Sequence, residues 1–316
     1  MLLPFVYLGS IFMGWSLGAN NAANIFGTGV VTKAIRFRTA AILLSIFVIL
    51  GSIIEGQKNM GTVGSFTGLD TNLALLATIT AALVVTGMTY FGIPVSASQA
   101  ILGAVMGIAL YTGGLNAFPW DKFTKITVSW IIAPLGAMVL AIGLYQLVGL
   151  ISRRIKSLPA LMLAMKIGIM VVGSYGAYTL GANNVANTTG VFVGAGIFTP
   201  FLGTVIGGLA IAFGACTYSK KVMATVGGEI TPLDIPTAFV AVLTVAIILH
   251  IFTQVGVPIS STVAIVGSVI GIGLAKGMRT VSAKKITQIL AGWVLTLLLS
   301  ILIPYVFLLL FSLFSW

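Results

Sequence analysis

Two short polar motifs interrupt otherwise apolar sequence, and each occurs twice. The first is Gly18-Ala-Asn-Asn-Ala-Ala-Asn24, which returns as Gly181-Ala-Asn-Asn-Val-Ala-Asn187. An asparagine offers a carbonyl acceptor and an amide donor, so Asn20, Asn21 and Asn24, with Asn183, Asn184 and Asn187, can serve either a cation or an oxyanion. The adjoining Gly and Ala residues would let a helix unwind here, exposing main-chain groups and helix-end partial charges suited to ions. The other use of asparagine in a membrane is to hold helices together. Three asparagines in seven residues, duplicated, exceed what that role requires.

The second motif is Gly92-Ile-Pro-Val-Ser-Ala-Ser-Gln99, matched by Gly256-Val-Pro-Ile-Ser-Ser-Thr-Val263. Proline followed by hydroxyl residues marks a helix start, where unpaired N–H groups and hydroxyls make an anion site with no competing carboxylate. Ser96, Ser98, Gln99, Ser260, Ser261 and Thr262 are therefore the candidate substrate-binding residues, with simple helix capping as the alternative. Thr62 and Thr225 sit in polar stretches, 61–67 and 224–231, that either approach this site or form structural loops. His250 lies in an apolar segment without a histidine partner, and its repeat equivalent is Thr86, so a core or interface role is expected rather than proton relay. Glu55 and Lys58 are spaced as an i,i+3 surface pair. Lys166, near a segment end, is expected to snorkel. No nucleophile–base pair, metal-ligand cluster or nucleotide loop is present, so neither an enzyme nor a cofactor is expected, a coupling sodium ion at the Asn motifs excepted.

The elements that hold these motifs must be embedded in lipid. Apolar residues make up 59% of the 316 and charged residues 7%, against about 25% charged in a soluble domain. Runs such as 39–56, 72–92 and 287–314 are each long enough, at about 1.5 Å per residue, to cross a hydrocarbon layer of about 30 Å. The net charge of +11 does not indicate nucleic acid, because the basic residues are scattered in small groups between apolar runs. The single cysteine, Cys216, excludes an internal disulfide. The amino terminus lacks a basic region ahead of its apolar run, so it reads as a first membrane segment rather than a cleavable signal.

Four blocks recur in order at a spacing of 163 or 164 residues: the two motifs above, Lys58 to Gly64 with Lys221 to Gly227, and Trp130 with Trp293. Hydropathy gives ten segments, near 3–20, 39–56, 72–92, 94–111, 126–150, 161–180, 200–216, 236–254, 258–275 and 287–314. Five per half is an odd number, which places the second half upside down relative to the first. With the amino terminus outside, the inner loops hold Lys33, Arg36, Arg38, Arg153, Arg154, Lys156, Lys220, Lys221, Lys276, Arg279, Lys284 and Lys285. The outer loops hold only Lys58, Lys122 and Lys125. The loop after the first Asn motif is basic, whereas its counterpart, 188–199, carries no Lys or Arg, as equivalent loops on opposite faces should. The expected fold is an all-α polytopic membrane protein of two inverted-topology repeats, 1–150 and 151–316, with broken or re-entrant helices.

At these motifs the sequence resembles the PiT-type inorganic phosphate transporter family, related to the animal sodium–phosphate cotransporters, over nearly its whole length. The resemblance implies phosphate uptake coupled to sodium or protons, a substrate site at the two Ser/Thr motifs, and coupling ions near the two Asn motifs. Asn21 and Asn184 stand where that family usually has Asp, in both halves. An amide keeps a carbonyl but supplies no charge, which raises sulfate as an alternative substrate. The expected function is secondary active oxyanion transport by alternating access, with a sulfate permease or a passive anion channel as alternatives. With short loops and no large insert between the halves, the expected location is a prokaryotic inner membrane, multi-pass, with both termini outside. A homodimer is a further expectation.

Overall fold

The computed structural model describes residues 3–66, 69–91, 93, 95–114, 116, 118–220, 222–223, 233–277 and 283–314, and every regular element among them is helical. The first repeat contains α1 (Leu3–Ala22), a π-helical turn (Ala23–Gly27), α2 (Thr28–Val31), α3 (Phe37–Glu55), α4 (Gln57–Gly64), α5 (Thr71–Tyr90), α6 (Ala97–Gly113) and α7 (Trp120–Ser152). The second contains α8 (Leu158–Asn184), α9 (Ala186–Gly194), α10 (Pro200–Thr217), α11 (Ile235–Gln254), α12 (Ser261–Lys276) and α13 (Ala283–Phe314).

Packing between the repeats is reciprocal. Helix α1 lies on α10 and α3 lies on α8; α6 lies on α13 and α7 lies on α12. Elements that exchange partners in this way obey a two-fold relation. The α1–α10 and α3–α8 crossings are close because glycine occupies each contact. A Cβ on Gly18 would meet the Ile211 carbonyl oxygen at 1.9 Å, and one on Gly214 would meet that of Trp15 at 2.0 Å. A Cβ on their repeat counterparts, Gly181 and Gly51, would meet the carbonyl oxygens of Val48 and Tyr178 at 2.1 and 1.9 Å. Small residues are what allow membrane helices to pack backbone to backbone, since lipid tails supply no hydrophobic drive between them.

Among the described residues, seven helical stretches are long and apolar enough to cross a membrane. Residues such as Leu8, Ile131, Val171 and Leu302 expose their side chains widely on this surface, as lipid-facing residues should. The ten expected segments all fall on helices, but two boundaries differ for physical reasons. Helices α6 and α12 are only 17 and 16 residues long and begin after Ser96 and Ser260, whose side chains cap them. Helix α1 runs through Asn20 and Asn21, and α8 runs through Asn183 and Asn184.

Among the described residues, the acids lie at helix ends. Asp70 accepts from Leu73 N at 2.9 Å at the start of α5. Asp234, its repeat equivalent, forms a capping box with Thr237 at the start of α11 and pairs with Lys276 at 3.3 Å.

Candidate functional site

The Asn motifs do not unwind their helices, which corrects the expectation of exposed main chain. The first ends in the π-helical turn Ala23–Gly27, entered from Ala22 at φ −56° and ψ −31°. The second is divided only at Val185, itself at φ −60° and ψ −31°, between α8 and α9. A π turn widens the helix by one residue and swings side chains inward without breaking it, and such turns gather at functional sites. All six asparagines are buried, none more than 2% exposed.

Asn20 donates to Thr89 Oγ1 at 2.8 Å, and Asn183 donates to Thr253 Oγ1 at 3.0 Å. These bonds are repeat equivalents and tie each Asn motif to the helix ahead of the Ser motif of its own repeat. Asn183 also accepts from Ile259 N at 2.8 Å through Oδ1, which fixes the chain entering α12. Thr89 and Thr253 were missed in the sequence reading. Their signal was present, since both are hydroxyl residues at matched repeat positions in apolar helices. Asn59 was missed as well: it is buried and donates to the carbonyls of Ala182 and Asn183 at 3.2 Å each.

Asn24 joins the first Asn motif to the Ser motif of the other repeat. Its amide donates to Ser261 Oγ at 3.0 Å and to Thr262 Oγ1 at 2.9 Å. Thr262 in turn donates to the Val95 carbonyl at 2.8 Å, at the entry to α6. One chain of hydrogen bonds therefore links the first Asn motif, the second Ser motif and the first Ser motif. Asn187, the counterpart of Asn24, has only Asn184 Oδ1 as partner, at 3.2 Å. The asymmetry has a visible cause: where α12 begins with Ser261, α6 begins with Ala97, and Ser98 sits beside Ser96 at 3.2 Å instead.

Ser96, Ser98, Gln99, Ser260, Ser261 and Thr262 are all buried. Ser96 accepts from Gln99 N at 3.2 Å and Ser260 from Val263 N at 3.4 Å, as matched N-caps. Ser260→Ala should lower stability by about 1 kcal/mol, the usual worth of such a cap. Thermal unfolding in detergent measures it, and an unchanged midpoint would deny the capping role. Thr62 lies outside the buried cluster: it is half-buried on α4 and donates to the Gly256 carbonyl at 2.6 Å, at the turn leading into α12. Thr225, Gly92 and Pro94 lie outside the described residues.

No Asp, Glu, Lys or Arg is hydrogen-bonded to the cluster among the described residues; its polar atoms are amides, hydroxyls and main-chain groups. Several of them have no protein partner: the side-chain oxygens of Asn24, Asn187 and Gln99, and the Asn184 amide nitrogen. Buried polar atoms left without partners are costly and usually answer to a ligand or ordered water. The set offers both acceptors and donors, at the first turns of two helices. A neutral site of this kind holds an ion by dipoles rather than by countercharge.

A polytopic helical protein with two inverted repeats and a buried polar cluster at their junction has the architecture of a membrane transporter. The chain belongs to the phosphate transporter family, whose model matches residues 17–172 and again 163–304. It is thus a multi-pass membrane protein of a transporter family and not an enzyme. A Methanocaldococcus jannaschii protein that carries the name of a phosphate permease is 34% identical over 298 residues, covering 94% of each chain. The chloroplastic inorganic phosphate transporter 2-1 of Arabidopsis thaliana is 25% identical, covering 90% of this chain and 68% of that one. A solved structure titled as the sodium-dependent phosphate transporter superposes with a TM-score of 0.86 at 23% identity, covering 99% of both chains, and so shares the fold.

Proposed function

We propose that this chain takes up inorganic phosphate as a secondary active transporter, working by alternating access with sodium or protons as the coupling ion. The observation that carries the reading is the Asn24 link to Ser261 and Thr262, which joins the two repeats at the first turn of α12. The hydroxyls and N–H groups there are donors suited to oxyanion oxygens. The unpartnered carbonyl oxygens of Asn24 and Asn187 are hard acceptors suited to sodium. We place the protein in the cell inner membrane with both termini outside, from the distribution of its basic loops.

Energetics require coupling. Moving one negative charge inward against 100 mV costs about 2.3 kcal/mol, and a dianion about twice that. Two or more cations must therefore accompany each dianion. Because no carboxylate joins the cluster among the described residues, the oxyanion itself supplies the negative charge that holds them.

Uptake of labelled phosphate into proteoliposomes, with sodium and pH gradients imposed separately, tests the function. Accumulation above the outside concentration under one cation gradient is the expected result. Flux that only equilibrates would indicate a channel, and flux better competed by sulfate than by phosphate would indicate a sulfate permease. The pair Asn21→Asp and Asn184→Asp tests the role of charge. Each should change ion dependence or the preference between phosphate and sulfate, and unchanged behaviour in both would remove the charge argument.

A further inference from the structure

Away from the buried cluster, four polar side chains of the two repeats meet around Glu55, with Tyr175 one bond further out. Glu55, at the end of α3, accepts from Tyr178 Oη of α8 at 2.7 Å through Oε1 and from Gln254 of α11 at 2.7 Å through Oε2. Lys58, on α4, donates to Glu55 Oε2 at 3.0 Å and to Gln254 Oε1 at 2.7 Å. His250 of α11 holds its Nε2 3.6 Å from Glu55 Oε1, while its Nδ1 lies 2.5 Å from Tyr175 Oη. The expectation of a simple surface pair between Glu55 and Lys58 and a core histidine is thereby enlarged, because the three residues belong to one network. The His250 side chain is 30% exposed and that of Lys58 is 43% exposed, so the network lies open at the protein surface, at the ends of α3 and α11.

We propose that His250, with Glu55, Tyr175 and Tyr178, is a proton-binding latch that clamps the α11–α12 turn to α3 and α4 when the imidazole is charged. Neutral His250 accepts from Tyr175 Oη at Nδ1 and directs its Nε2–H at Glu55. A proton taken from solvent resides on Nδ1, which then donates to Tyr175 Oη; the tyrosine hydroxyl only reverses its role. No neighbour has to move, and the gain is an ion pair with Glu55. Of the other charged groups on the packed elements, Lys166 lies in the first half of α8, and Lys122 of α7 donates to the Ser65 carbonyl, just past α4, at 3.3 Å. Lys276 of α12 pairs with Asp234 at the opposite end of α11, and Asp121, Lys122 and Lys125 occupy the first two turns of α7. Helix α2 carries no charged residue.

The latch acts on the turn that leads into the candidate site. Gln254 follows Thr253, the partner of Asn183, and Thr62 of α4 holds the Gly256 carbonyl. The inverted repeat supplies an internal control. The positions related to Tyr175, Tyr178, Glu55 and His250 are Phe12, Trp15, Tyr218 and Thr86. There Trp15 stacks on Phe12 with centroids 6.3 Å apart and lies 5.7 Å from Tyr218, and Thr86 bonds Ser16 at 2.6 Å. A small cavity lined by Trp15, Ser16, Thr86 and Tyr218 takes the place of the ionic network. Among the described residues, the network of Glu55 and His250 therefore has no ionic counterpart on the other face.

The consequence for uptake rests on the transport reading above, whereas the consequence for the turn does not. Amide hydrogen exchange over 254–260, comparing wild type with His250→Gln in detergent at the same pH, reads the latch directly. At pH 5.5 the wild-type turn should exchange about threefold more slowly than the variant, a factor typical of a part-exposed ion pair; at pH 8 that ratio should vanish. The ratio of wild type to Glu55→Gln, which leaves Tyr178 a partner, should shift between the two pH values in the same direction. In proteoliposomes the ratio of wild-type to variant uptake should change about threefold between the two pH values; the substrate's own titration is common to both proteins and cancels. An exchange ratio equal at both pH values, in either variant, would overturn the latch. A pH-dependent exchange ratio in protein that moves no phosphate would keep the latch and sink the transport reading instead.

Discussion

Asn24→Leu is expected to lower phosphate uptake about a hundredfold while leaving a protein that inserts and folds. Leucine matches asparagine in shape, so the loss is one of hydrogen bonds rather than of volume. The Asn24 amide is 1% exposed and supplies both Ser261 and Thr262. Removing it leaves two buried hydroxyls short of a donor, at about 1–3 kcal/mol each. A total of about 3 kcal/mol converts to about a hundredfold in an equilibrium constant. The counterpart Asn187 donates to Asn184 alone among the described residues, so Asn187→Leu should cost about tenfold, the worth of one such bond. Initial rates in proteoliposomes, normalised to inserted protein, compare them. Equal losses would show that the link between the repeats has no special weight.

Gly181→Leu should abolish the folded state altogether. A Cβ at this position would lie 2.1 Å from the Val48 carbonyl oxygen and 2.9 Å from Ser52 Oγ. The obstacle is helix backbone, which cannot rotate aside as a side chain can. Overpacking of an ordinary core costs about 1–3 kcal/mol, but separating two helices along their contact line forfeits the packing that holds the repeats together. Gly149 is the control: nothing lies within 4 Å of its would-be Cβ, and in the interior of α7 alanine should be neutral or better by up to about 1 kcal/mol. Size-exclusion profiles and unfolding midpoints report both. A monodisperse Gly181→Leu protein with an unaltered midpoint would contradict the close crossing.

The repeats were legible because evolution copied polar residues into an apolar background, where each one is costly and therefore visible. The helix starts at Ser96 and Ser260 were legible for a similar reason, since serine ahead of a helix has one well-understood local use. The path of the chain through the Asn motifs was not. Gly18 and Gly181 suggested unwinding, but their task is to let α1 approach α10 and α8 approach α3, a tertiary demand that no local pattern records. The cross-repeat bonds of Asn24 were equally hidden, because Ser261 and Thr262 lie more than two hundred residues away in sequence. Glu55 and His250 appeared as a surface pair member and a lone core residue; only folding places Tyr175, Tyr178 and Gln254 around them.

The central claim is that an oxyanion sits where the first turns of α6 and α12 meet the Asn24 amide. Crystals grown with arsenate and measured at the arsenic absorption edge locate such an ion without prior assumptions. The anomalous peak is predicted within hydrogen-bond reach, through the arsenate oxygens, of Ser261, Thr262 and the Ser96–Gln99 turn. A peak at the basic loops instead, or one unmoved by Asn24→Leu, would contradict it.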